Sequence, residues 1–217
     1  MSGKSIKYNF MKKIFNVILV ISALLLTLPL LPSCQKGEED PMFSLISRKT
    51  RLCQDWKVVS YKKTIQTNDS IIAFTFDGST YQKIMSNYTY SSPGSMRILF
   101  SKTGSYQWDQ KVTTDTSSYL YTEKGMWYFT GGSKESTYKS KELVALQKTE
   151  VVESFSTSTT NNTLSYFGSG DLETNIYHLR KLANDEVIID GETTTTYFSN
   201  NSNQLEKVTT EIILQPL

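Results

Sequence analysis

Residues 96–129 read MRILFSKTGSYQWDQKVTTDTSSYLYTEKGMWYF, and the periodicity within them sets the fold class. Met96, Ile98 and Phe100 alternate with Arg97, Leu99 and Ser101, the period of two that sends successive side chains to opposite faces of a strand. Lys102-Thr103-Gly104 breaks the run as a turn, and Tyr106 and Trp108 resume the alternation beyond it. Tyr119–Tyr121 and Met126–Phe129 supply further strand runs.

The same signature continues on both sides. Upstream, Trp56–Tyr61 reads as a strand, and Ile71–Phe76 with Thr80–Ile84 reads as a hairpin about the favoured Asp77-Gly78 turn. Downstream, strands are expected at Leu143–Leu146, Val151–Phe155, Ile176–Leu182, Val187–Ile189, Thr193–Phe198 and Val208–Leu214, with Asp190-Gly191 as another tight-turn signal. Residues 86–95, 130–141 and 156–172 are rich in Ser, Thr, Asn and Gly and are expected as long loops. Before the strands, Phe43, Ile46 and Leu52 within residues 42–53 recur loosely at helical intervals, which predicts a short N-terminal helix. Many short strands in series predict an all-β antiparallel sandwich or barrel.

Composition agrees with this reading. At 217 residues the chain has room for one ordinary domain. Aromatic residues make up 12%, enough apolar surface to oppose disorder. Ser and Thr together number 53, whereas Ala, the best helix former, occurs four times. The formal charge of +2 is misleading, because residues 1–33 hold four lysines and no acid. The remainder carries 19 basic and 21 acidic residues, which gives a nucleic-acid partner no electrostatic footing.

Three stretches, CQDWKVVSY from Cys53, ILFSKTGSYQW with EKGMWYF, and IYHLRKLANDEVII from Ile176, together resemble the lipocalin-like domains of bacterial lipoproteins. The matches span roughly residues 50–190, and Gln54-Asp55 stands where the lipocalin pattern has Gly-x before its Trp. The resemblance implies a lipocalin-like (calycin) β-barrel, here over residues 42–217, and does not of itself imply a function.

The N-terminus carries an address. Lys4, Lys7, Lys12 and Lys13 precede an apolar stretch, residues 14–32, that ends in Leu31-Pro32-Ser33-Cys34. Asn16, Pro29 and Pro32 argue for a signal peptide over a spanning helix. The ending resembles the bacterial lipobox, which implies removal of residues 1–33 and lipidation of Cys34. Residues 34–41 then form an acidic tether whose Glu38-Glu39-Asp40 resembles the export signal of Bacteroidetes surface lipoproteins. The expected location is the outer membrane, facing the cell surface or otherwise the periplasm. With Cys34 lipidated, Cys53 has no partner for an internal disulfide.

Candidate chemistry is sparse. His178 is the only histidine, and the chain has no Gly-x-Ser-x-Gly elbow to serve it as a triad. Glu38, Glu39 and Asp40 lie in the tether and Asp185-Glu186 in a turn, which is no arrangement for a glycosidase pair. No metal-ligand spacing and no phosphate loop occurs, so neither an enzyme nor a cofactor is expected. Trp56, Trp127 and Phe129 are expected in the core. Trp108, with Tyr106 beside it, is the first choice for a binding pocket, because Tyr and Trp pair an apolar face with one polar group. Only Arg97 and Asp109 count as charges well inside the strands from 96 to 129, so the expected ligand is neutral or apolar, a glycan or a lipid-like molecule. Asp69-Ser70-Ile71 resembles the O-glycosylation acceptor of Bacteroidetes envelopes, with Ser70 as the modified residue.

The expected function is thus a lipid-anchored, non-catalytic envelope binding protein. The alternative is a β-sandwich accessory lipoprotein that docks onto another envelope protein and holds no internal ligand. Replacing Cys34 by Ala is expected to release the protein from the membrane fraction. Undiminished membrane association of Cys34→Ala would point to a transmembrane segment.

Overall fold

The structure is a computed structural model that describes residues 46–132, 138, 141–167, 173–199 and 202–217. The expectations for residues 1–45, including Cys34, the tether and the first part of the helix, lie outside the described residues. Within them the chain forms a short helix, α1 (Arg48–Leu52), and then strands β1 (Asp55–Thr67), β2 (Ile71–Phe76), β3 (Thr80–Met85), β4 (Tyr88–Phe100), β5 (Ser105–Thr113), β6 (Ser117–Thr130), β7 (Leu143–Thr157), β8 (Asn161–Phe167), β9 (Thr174–Leu182), β10 (Val187–Ser199) and β11 (Ser202–Pro216). All the pairings are antiparallel, and the β6–β7 ladder joins the ends of the strand order β6-β5-β4-β3-β2-β1-β11-β10-β9-β7 into a closed ten-stranded barrel. The expected all-β antiparallel barrel is therefore present, and a closed barrel excludes the sandwich.

Two strands change partner along their length, and this divides the barrel into a narrow end and a wide end. At the narrow end β1 pairs directly with β4 through Trp56↔Ile98, whereas from Tyr61 onward it pairs with β2. The β2–β3 hairpin is a wedge between β1 and β4. Its tip, Asp77-Gly78-Ser79, lies where they part: a Cβ on Gly78, whose φ is +94°, would come 3.3 Å from the Val59 carbonyl oxygen. The Ser79 carbonyl accepts from the Gly94 N–H of β4 at 2.8 Å. Asp77 fixes the turn by accepting from the Thr80 N–H at 2.7 Å and the Ser79 N–H at 2.9 Å, which holds its carboxyl below the usual range. On the far side β7 pairs with β9 over Leu143–Gln147 and with β8 over Glu150–Ser156.

The narrow end is therefore an eight-stranded ring of β1, β4, β5, β6, β7, β9, β10 and β11. A ring of about eight strands leaves an interior that side chains can fill. Trp56, Val58, Ile98, Phe100, Trp127, Val144, Leu179, Val187, Ile189, Ile212 and Leu214 fill it, all buried. Edge-to-face contacts of Trp127 with Phe100 (5.7 Å) and Phe129 (5.4 Å) continue the packing. The expected core residues Trp56, Trp127 and Phe129 all lie here, Phe129 only partly buried.

Helix α1 closes this end. Ser47 caps it by accepting from the Thr50 N–H, Leu52 is buried, and the Trp56 indole N–H donates to the Leu52 carbonyl at 2.9 Å. Arg51 ties the helix across the barrel by donating to the Leu182 carbonyl.

Two expected loops are strands. Residues 88–95 belong to β4, paired by β3 and β5, with Pro93 just beyond the last β4–β5 pair, Gly94↔Val112. Residues 156–157 and 161–167 belong to the β7–β8 hairpin, whose turn is closed by the Thr157 N–H to Thr160 carbonyl bond of 2.8 Å. Both segments lie at the wide end, where neither face has to be apolar, so their strand character leaves no alternating pattern to read.

Trp56→Ala is expected to cost roughly 3–5 kcal/mol, since it opens the floor of the core and removes the tie to α1. Chemical denaturation measures this, and an unchanged midpoint would contradict the placement of Trp56.

Candidate functional site

Counting in twos from the floor gives the lining of the wide end. On β6, Trp127, Gly125, Glu123 and Tyr121 share the inner face; on β5 Tyr106 and Trp108 do so, paired with Gly125 and Glu123. Lys148 faces in on β7 opposite Gly125, and Tyr177 on β9 opposite Val144. A bulge at Val58/Ser60 resets the phase of β1, so that Tyr61 and Lys63 also face in.

These side chains converge on Glu123, which is 8% exposed. The Tyr106 hydroxyl donates to its Oε1 at 2.7 Å, the Tyr121 hydroxyl donates to its Oε2 at 2.5 Å, and Lys148 Nζ lies 3.4 Å from Oε2. Trp108 and Tyr61 form one wall, edge to face at 5.9 Å. A buried carboxylate is costly unless paired and hydrogen-bonded, and Glu123 has both kinds of partner.

Glycines set the tyrosines. A Cβ on Gly125 would lie 2.7 Å from Tyr106 Cε1, and one on Gly191 would lie 2.9 Å from Tyr177 Cδ1, so each ring rests on bare backbone. Burial pushes the Tyr106, Tyr121, Tyr61 and Tyr177 phenols well above their ordinary value, with the negative charge of Glu123 adding to the effect in all four. Tyr81, on the neighbouring wall, is pushed up to about 12, mainly by burial. These hydroxyls remain hydrogen-bond donors throughout the physiological range.

Beside the cluster is a cavity of about 100 Å³ whose lining includes Lys63, Lys148, Glu173, Asn175, Tyr177 and Thr193. A larger cleft of about 770 Å³ opens elsewhere, on the outer face of β7, β9 and β10. It contains His178, whose Nδ1 is 3.4 Å from Asp190 Oδ1 and whose ring centroid is 5.0 Å from that of Tyr138. Despite its size it has none of the inner aromatic wall, and the Glu123 chamber is the better candidate. Among the described residues no group of three or more His, Cys, Asp or Glu could hold a metal ion.

Both expected pocket residues face the interior. Trp108 is a partly buried wall residue that packs against the core, and Tyr106 is buried at the chamber floor with its hydroxyl committed to Glu123. Ser70 lies in the β1–β2 turn with its Oγ 2.9 Å from Thr67 Oγ1, at a cleft on the outer face.

The expectation that Arg97 and Asp109 are the only charges well inside the strands from 96 to 129 is corrected: β5 also contains Lys111, and β6 runs unbroken through Glu123 and Lys124. Arg97 and Asp109 face outward, Arg97 Nε bonded to Asp55 Oδ1 at 2.6 Å and Asp109 accepting from Gln107 and Thr122. The inward-facing charges include Glu123 and Lys148, with Lys63 on β1, Lys83 on β3 and Glu153 on β7, and sequence reasoning passed over all of them. The signal existed, since a count of two back from Trp127 reaches Gly125 and then Glu123. Comparison with protein-family models, curated proteins and solved structures finds no match for the chain.

The raised phenols imply an alkaline limit. The unfolded chain releases these protons near pH 10, while the folded chain still holds them, so the folded state binds more protons and stability falls as pH rises past about 10. Denaturation midpoints on either side of that pH are expected to show the fall, with no tyrosinate absorbance from the buried rings before unfolding. Ionisation of every tyrosine in the folded state near pH 10 would contradict the burial.

Proposed function

We propose that this protein is a lipid-anchored cell-envelope binding protein that holds a small neutral or apolar ligand in its barrel and carries out no reaction on it. The observation that carries the reading is the inner wall of the wide end, where Trp108, Tyr61, Tyr121 and Tyr177 surround a carboxylate already supplied with partners. Such a wall offers ring faces for contact and hydroxyls for orientation, the usual make-up of a small-molecule site. The narrow end, by contrast, is filled by its own side chains.

A binding role suits these residues better than catalysis. Two phenols and an ammonium take three of the roughly four acceptor sites of Glu123 and hold the carboxylate in place, which leaves it one site to orient a ligand hydroxyl. The lipobox-like ending at Cys34 supports an outer-membrane anchor, and the acidic run after it supports display at the cell surface.

Native mass spectrometry of the purified protein is expected to reveal a bound molecule of small mass. Adding that molecule back to ligand-free protein should change tryptophan fluorescence in the wild type and less in Trp108→Phe. An equal response in both would remove Trp108 from the site.

A further inference from the structure

We infer that the ligand of this chamber is an uncharged, hydroxyl-rich molecule, a glycan presenting one sugar ring to the Glu123–Lys148 pair; the inference rests on the barrel-binding reading and narrows it. Three features of the chamber lead there.

The first is charge. The inward-facing cations Lys63, Lys83 and Lys148 are matched by the carboxylates Glu123, Glu153 and Glu173. An anionic ligand would meet carboxylates among the lysines, and a cationic ligand would meet lysines among the carboxylates. Neither sign finds several like partners converging, as a charged ligand needs.

The second is hydrogen-bond character. Lys148 is a donor; Tyr106 and Tyr121, whose protons go to Glu123, offer their oxygens as acceptors, as do Glu123, Glu173 and the Asn175 carbonyl, and the hydroxyls of Thr193 and Thr210 on the cavity wall do both. Glu123 receives three close partners, and a carboxylate has about four lone-pair sites, so it retains acceptor capacity. A wall of interleaved donors and acceptors matches groups that donate and accept from the same atom, which is what an alcohol does. An alkyl chain in the same place would strip water from these groups and give nothing back, which leaves each of them buried and unpaired.

The third is shape. Trp108 and Tyr61 pack edge to face at 5.9 Å on inner-facing positions and both are only partly buried, so aromatic surface is left open in the chamber wall. Flat aromatic faces take the C–H face of a sugar ring while its hydroxyls point sideways to polar groups. At about 30 Å³ per water, the cavity of about 100 Å³ beside Lys148 has room for on the order of three waters. That is space for the hydroxyl edge of a sugar ring, with the rest of the ring lying against the aromatic wall.

The test is a screen of the full chain against an array of neutral glycans, with palmitate and a sulfated polysaccharide alongside, followed by titration of any hit by tryptophan fluorescence. Binding is expected to a neutral glycan, insensitive to salt, and weakened at least about tenfold in Glu123→Gln/Lys148→Met. The double change removes both charges together, so it leaves no unpaired ion to unfold the barrel, and thermal melting verifies its fold. Tyr121→Phe, which deletes one hydroxyl, provides the same readout if the double variant does not fold. Glycan binding that ignores both variants overturns the inference. Palmitate binding that quenches Trp108 without any glycan hit overturns it as well but leaves the barrel-binding reading standing. Binding of the sulfated chain alone overturns it, and no binding of any probe overturns both readings.

Discussion

A β-strand has two edges, and each edge can pair with one neighbour at a time. The architecture depends on how β1 uses one of its edges. Over Asp55–Lys57 that edge is taken by β4, and from Tyr61 by β2, with the bulge at Val58/Ser60 and the Asp77-Gly78 turn marking the exchange. Because the hairpin enters there, the same barrel is an eight-stranded ring at one end and wider at the other. The narrow ring is filled by apolar side chains; the wide part is too broad for that and holds a polar and aromatic lining. One exchange of backbone partners thus separates the part that supplies stability from the part available for a ligand.

The two parts are not independent. Tyr106 and Trp127 belong to the apolar floor, yet the Tyr106 hydroxyl reaches up to Glu123, and Gly125 between them lets that ring lie flat on the backbone. The floor therefore sets the position of the carboxylate. Any loosening around Trp56 or α1 would be felt at Glu123 through the β5–β6 ladder, because Tyr106↔Gly125 and Trp108↔Glu123 are successive inward-facing pairs in it, with one outward pair between them.

Legibility in the sequence followed burial. The narrow-end strands could be read from alternation, since one face of each is buried and the other solvated; Met96, Ile98 and Phe100 on β4 are the clearest case. The Asp77-Gly78 turn was legible from its residues alone. The first half of β4 was not, because its inward positions Tyr90, Ser92 and Gly94 alternate in burial with Ser91, Pro93 and Ser95 without alternating in hydropathy, and β8 was not, because residues 161–166 are all exposed. In the site, Trp108 was legible as a surplus aromatic on the inner face. Glu123 and Lys148 were passed over because a charged residue in a strand reads by default as solvent-facing. Lys148 is further obscured by the bulge that follows it, where Lys124 pairs with Glu150 and Gly125 with Lys148. Arg97 and Asp109 lie within β4 and β5 as expected and follow that default, on the outer face.

The division into a closed narrow ring and a wide upper end is the claim on which the rest stands, and amide hydrogen exchange measures it directly. Beyond Asp190 the β9-side edge of β10 has no strand partner among the described residues, whereas Val187–Asp190 are paired on both sides. The ring segments, 55–58, 96–100, 143–146, 187–190 and 211–214, are predicted to exchange slowest and together, near the limit set by global unfolding, with residues 192–196 markedly faster. Equal protection of 187–190 and 192–196, or fast exchange in the ring while the wide end is protected, would contradict the account.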